Sequence, residues 1–187
     1  NNLSLKVNNT STYFDIAENS DFTVEWFSYM ASDGNHPRAY SIGSWPSAAH
    51  AVSIENGNFY WWVNASIQLS IPVSVVGGWH HFCVMRSGNL VQIYIDGVSV
   101  QSSDPGFSMA IPSNGLPLYI GSEGNDSLCN ALFSNFRWNS SVAVYTPGGF
   151  TPPTEPMTYV SGCTLLALQG DTLNLELTDP DGKISKR

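Results

Sequence analysis

Positive charge is scarce in this chain of 187 residues: seven Lys and Arg stand against fifteen Asp and Glu, for a formal charge of -8. A surface with so few cations cannot neutralise a phosphate backbone or an anionic bilayer, which argues against nucleic acid and against membrane insertion as partners. Cysteine is equally sparse. Cys83, Cys129 and Cys163 are odd in number and lack metal-type spacing, so neither a disulfide framework nor a zinc site is indicated, and at most one disulfide could form. There is no apolar run long enough to cross a bilayer, no signal peptide and no initiating Met, which reads as a mature product or a piece cut from a longer polypeptide. A G-x-S-x-G nucleophile elbow is also missing.

What the chain has instead is 42% hydrophobic and 12% aromatic content with abundant Gly, Pro, Ser and Asn, which excludes disorder and fits many short strands joined by many turns. One sizeable core suits this length better than two small ones. Asn-x-Ser/Thr triplets occur at Asn2, Asn8, Asn9, Asn64, Asn125 and Asn139, as an Asn- and Ser-rich chain produces by chance.

Two dipeptides set the registers. Asp96-Gly97 lies between alternating runs and supplies the positive φ angles of a type I′ hairpin, so Ile95 is expected opposite Val98 and Ile93 opposite Val100 on an apolar face. Tyr94 with Ser99 and Gln92 with Gln101 would then share the other face. With the turn at Ser87-Gly88-Asn89, residues 77–101 make a three-stranded antiparallel meander. Asn56-Gly57 sets the second register, pairing Ile54 with Phe59 and Val52 with Trp61 toward the core. Opposite them, Ser53 faces Tyr60 and Ala51 faces Trp62. Small neighbours leave the two rings open as a binding surface unless the loop from Ser32 to Pro46 folds over them. In Asp21–Trp26, alternation sends Phe22, Val24 and Trp26 inward and leaves Glu25 as a solvated strand residue. Pro117 implies that the strand over 116–121 lies at an edge or breaks at its start.

The run Trp79-His80-His81-Phe82, the Arg-Ser-Gly turn and Ile93-Tyr94-Ile95-Asp96-Gly97 resemble the central signature of laminin-G-like domains, which belong to the concanavalin A-like lectin and glucanase jelly rolls. Residues 129–137 resemble that family's F-x-G-x-I-x-x-x-R strand, with Cys129 at the usual Phe and Ala131 at the usual Gly. Ala143-Val144-Tyr145 and then Phe150-Thr151-Pro152-Pro153-Thr154 resemble the tail found after such domains in structural proteins of tailed phages and large DNA viruses. The resemblance implies an all-β jelly-roll sandwich of two antiparallel sheets. The domain would span 1–170, with 144–170 a Pro-rich closing segment and last strand, and 171–187 a C-terminal strand, turn or linker.

The resemblance also frames function. Glucanases of the superfamily carry E-x-D-x-x-E along one strand, and this chain has no such triplet, so no catalytic residue is expected and a polysaccharide-degrading enzyme ranks last. A non-enzymatic glycan-binding or adhesion module of a virion structural protein ranks first, at the virion surface or extracellular, binding a glycan or glycoprotein surface. An architectural capsid or tail component packing against other virion proteins is the alternative. The expected ligand-binding residues are Tyr60, Trp62, Glu123, Asn125 and Asp126. Glu123, Asn125 and Asp126 would also hold calcium, if the domain takes one ion instead of none; Asp33 with Asn35 is the other compact oxygen-rich pair.

Overall fold

The computed structural model describes residues 4–9, 12–34, 38–103, 110–124, 128–170 and 184–185. Among the described residues there are thirteen strands, arranged in two antiparallel sheets, and no helix. The first sheet contains β1 (Leu5–Val7), β3 (Arg38–Ile42), β4 (His50–Glu55), β5 (Asn58–Val63), β6 (Ser66–Pro72), β10 (Leu118–Ile120) and β13 (Ile184–Ser185), ordered β13-β1-β10-β3-β4-β5-β6. The second contains β2 (Phe22–Met30), β7 (Trp79–Ser87), β8 (Leu90–Ile95), β9 (Val98–Ser103), β11 (Ala131–Asn139) and β12 (Cys163–Ala167), ordered β12-β11-β2-β7-β8-β9. This is the expected concanavalin A-like sandwich. Pro117 stands immediately before β10, which is paired on both sides, so it marks a break at a strand start and not an edge.

The Asn56-Gly57 hairpin has the register its turn dictates. Both residues adopt positive φ (51° and 72°), and Val52↔Trp61, Ser53↔Tyr60 and Ala51↔Trp62 are partners. Inward-facing residues of both sheets meet in one core. Trp26 stacks on Phe82 (5.4 Å between centroids, 15°) and takes the edge of Tyr40 at 5.4 Å. His50 is fully buried among these rings. The Trp61 indole N–H, which can only donate, lies 2.5 Å from His50 Nε2, so that nitrogen is an acceptor and the imidazole is neutral.

The Asp96-Gly97 hairpin departs from its expected register in one place. Ile95↔Val98 and Tyr94↔Ser99 pair, but a bulge follows, so Ile93 faces Gln101 and Gln92 faces Ser102. Val100 is the extra residue of the bulge. Nor is the far side of this hairpin covered: β9 is the last strand of its sheet, and Val98 is 65% exposed while Ile95 is only partly buried.

Glu25 is the larger correction. It is not solvated but wholly buried, because the segment that follows β11 crosses the outer face of the second sheet. Arg137 Nε and Nη2 donate to Glu25 Oε1 (2.8 and 2.5 Å), while His81 Nε2 lies 3.0 Å from Oε2 and the Tyr145 hydroxyl donates to it at 2.7 Å. Burial alone would push this carboxyl up; His81, Arg137 and Tyr145 together hold it below the usual range. The same strap stacks Phe150 on Tyr145 and packs both against Cys83, Met85 and Tyr94. Its prolines cannot join a ladder, as expected of an extended segment lying over the sandwich.

Two measurements follow from this packing. Gly97 has φ +76°, and a Cβ there would meet Phe150 O of the strap at 1.8 Å, so Gly97→Ala should cost about 2 kcal/mol or more in urea unfolding. Burial pulls the His50 pKa to about 3 from an ordinary 6.5. The unfolded chain therefore takes up that proton first: stability is full above about pH 6.5 and falls by about 1.4 kcal/mol per pH unit until the pH nears the folded value. Urea titrations at pH 7 and pH 5 should show the loss, and His50→Gln should remove that part of it.

Candidate functional site

Strand β5 alternates strictly. Phe59, Trp61 and Val63 enter the core, and Tyr60 and Trp62 emerge half-buried on the outer face of the first sheet, 6.0 Å apart. The loop between β3 and β4 folds toward them. It brings Trp45 edge-on to Trp62 (5.2 Å, 74°), and Trp45 itself remains 39% exposed. The loop thus extends the surface that the two rings begin, without burying it.

Arg38, the first residue of β3, fixes this arrangement from below. Its guanidinium carbon lies 4.8 Å from the Trp62 ring and 5.0 Å from the Trp45 ring, a cation–π contact to both. Only 2% of Arg38 is exposed. Two carboxylates balance it: Glu55 Oε1 is 3.8 Å from Nη1, and Glu123 Oε2 is 3.4 Å from Nε. Ser53 Oγ links the layers, donating to Glu55 Oε1 (2.9 Å) and accepting from Trp62 Nε1 (3.0 Å). Burial lowers the guanidinium pKa and the two glutamates oppose that shift, so the side chain stays charged at ordinary pH.

The loop after β10 closes the group. Gly124, at φ +81°, packs so tightly that a Cβ would fall 2.4 Å from Ser44 Oγ and 2.5 Å from the Tyr119 ring. Glu123 is thereby held against Arg38. Tyr119 continues the same face, with the Lys6 ammonium 5.7 Å from its ring centroid.

Of the expected ligand-binding residues, Tyr60 and Trp62 share this surface and Glu123 stands beneath it. Asn125 and Asp126 lie outside the described residues, as does Asn35. The charge of Glu123 is committed to a buried guanidinium, which fits a calcium ligand poorly, and Asp33 uses Oδ2 to accept the Gly57 N–H at 2.6 Å. Among the described residues no three His, Cys, Asp or Glu side chains gather as a metal site requires. Sequence reasoning missed Arg38, Trp45 and Glu55. The one available signal was Trp45-Pro46, an aromatic in a polar loop just after Gly43-Ser44.

Removing Arg38 would leave two nearly buried carboxylates facing each other. Arg38→Ala should therefore cost about 3 kcal/mol in urea unfolding and alter the tryptophan emission of the folded state. A cost below about 1 kcal/mol would mark the cluster as an ordinary surface ion pair.

The family model of the concanavalin A-like lectin/glucanases superfamily that describes laminin-G-like domains matches residues 4–143. Among solved structures, a candidate carbohydrate-binding protein from Bacteroides ovatus is similar at 15% identity and TM-score 0.65, covering 98% of this chain and 57% of that one. The native heptameric SAP-like pentraxin of Limulus polyphemus is similar at 19% identity and TM-score 0.55, covering 76% of this chain and 71% of that one. Trypanosoma rangeli sialidase is similar at 14% identity and TM-score 0.50 over 66% of this chain, which spans 21% of the sialidase. At such identities the likeness is one of fold. No curated protein matches the sequence. With the family's pattern running through both sheets, from β1 to the end of the arginine strand β11, the chain belongs to the laminin-G-like family of the concanavalin A-like lectin/glucanases superfamily.

Proposed function

We propose that this domain is a non-enzymatic recognition module that binds glycans on the outer face of the first sheet, through Trp45, Trp62 and Tyr60. The observation that carries the reading is the exposed Trp45 ring held beside two half-buried rings by a buried cation. Pyranose rings present apolar C–H faces that stack on aromatic rings, and Ser, amide and carboxylate groups at the margins orient hydroxyls. Membership in a superfamily that includes lectins supports the reading, as does the fold shared with the Bacteroides ovatus protein. Hydrolysis has less support. The buried carboxylate Glu25 is consumed by Arg137, His81 and Tyr145, and it lies under the strap.

The setting we propose is a virion surface or another extracellular surface, on the strength of the Pro-rich tail at 150–154. An architectural role among virion proteins is the second reading. What favours it is a bare apolar row on the other sheet, where Leu132, Tyr29 and Trp79 are partners across β11, β2 and β7 and Trp79 is 52% exposed.

A glycan array on the purified domain, followed by calorimetric titration of the best hit, tests the first reading. Trp45→Ala should weaken binding about tenfold at a stability cost well below that of Trp61→Ala, since the Trp45 ring is already 39% exposed. Trp61→Ala, which empties the core beside His50, should cost about 3–5 kcal/mol of stability. An array without a hit, or a hit bound equally by Trp45→Ala, overturns the assignment of this face.

A further inference from the structure

We infer that the aromatic face selects neutral glycans and rejects those carrying carboxylate or sulfate, with Arg38 acting as a positioning residue and not as an anion receptor; this rests on the glycan-binding reading above. An arginine beneath two tryptophans would ordinarily suggest a site for an acidic sugar, because guanidinium pairs with carboxylate in a planar fork. Three features of this arginine prevent that. It is 2% exposed, so a ligand carboxylate has no path to it. Its faces are covered by Trp45 at 5.0 Å and Trp62 at 4.8 Å. Its charge is already matched twice, by Glu123 at 3.4 Å and Glu55 at 3.8 Å.

The sum is unfavourable to an anion. Arg38, Glu55 and Glu123 together carry one net negative charge, and Asp33 adds another at the Asn56-Gly57 turn beside Glu55. These groups are partly or wholly buried, so salt screens them less than it would an exposed cluster. Among the described residues the other cation on this face is Lys6. It lies along the row Lys6–Tyr119–Ser41–Ala51–Trp62, four strand spacings or roughly 19 Å from Trp62, too far to pair with an anion stacked there. A neutral pyranose meets none of these penalties and gains the full stacking contact. Arg38 contributes by holding both rings at fixed angles, so that less side-chain freedom is lost when a sugar docks.

The experiment is a comparison of matched pairs on the intact domain. Neutral oligosaccharides are titrated beside their uronic-acid congeners, and desialylated glycans beside sialylated ones, at low and at physiological salt. Neutral members should bind at least about tenfold more tightly, with affinity changing less than about twofold between the salts. Asp33→Asn, which keeps an oxygen to accept the Gly57 N–H and lies outside the ring-holding cluster, should narrow the gap by improving the acidic congener while leaving the neutral one within about twofold. Should that variant not fold, the wild-type pairs decide alone. Preference for acidic members, or affinity that collapses with salt, overturns the selectivity while leaving the glycan reading intact. Absence of binding to every probe overturns the glycan reading, and the selectivity with it.

Discussion

A single buried carboxylate organises one half of this molecule. Glu25 stands on β2, at the middle of the second sheet, and its two oxygens reach Arg137 on β11, His81 on β7 and Tyr145 on the strap. A charge removed from water in this way is tolerable only when its acceptor capacity is filled by well-placed donors, and here each oxygen has at least one. The arrangement therefore constrains three strands and the strap at once. Losing Arg137 would strip the carboxylate of its cation, and losing His81 or Tyr145 would leave acceptor capacity of Oε2 unfilled, which is why the strap belongs to the fold and is not an appendage of it.

That constraint decides which part of the second sheet's outer face is covered. On the second sheet the strap covers Cys83, Met85 and Tyr94, anchored by Val144 N and Val142 O on the two sides of Thr23 Oγ1 and by the Phe150 amide on Gly97 O. Among the described residues no strap crosses the first sheet. The β3–β4 loop sets Trp45 edge-on to Trp62 without burying it, so Tyr60 and Trp62 keep part of their surface.

Much of the sandwich was legible because its turns are chemically explicit. Asn56-Gly57 and Asp96-Gly97 need positive φ at both residues, and period-two alternation then fixes every facing pair near the turn. The Ile93/Tyr94 bulge was not legible, since no glycine or proline marks Val100 as an extra residue. Nor was the fate of Glu25. Alternation states which face a side chain occupies, but what covers that face depends on Arg137 and Tyr145, more than a hundred residues away. The candidate site divides the same way: Tyr60 and Trp62 follow from a local register, whereas Arg38, Trp45 and Glu123 converge from three loops and strands that share no local pattern.

Both outer faces use one device, an Arg–Glu pair beneath a pair of aromatic rings, and the difference between them lies in ring geometry. Tyr145 and Phe150 lie parallel, with centroids 3.6 Å apart and 4° between planes, so each ring spends a face on the other, and Phe150 also contacts His81 and Tyr94. Such a stack is closed. Trp45 and Trp62 meet edge to face at 74° with Arg38 wedged against both, which consumes one edge and one side of the pair and leaves flat indole surface toward solvent. A stacked pair completes a fold, whereas an edge-on pair fixed from behind offers a rigid face to something else. An arginine, its carboxylate partners and two rings thus yield a closed clasp on one sheet and an open aromatic platform on the other.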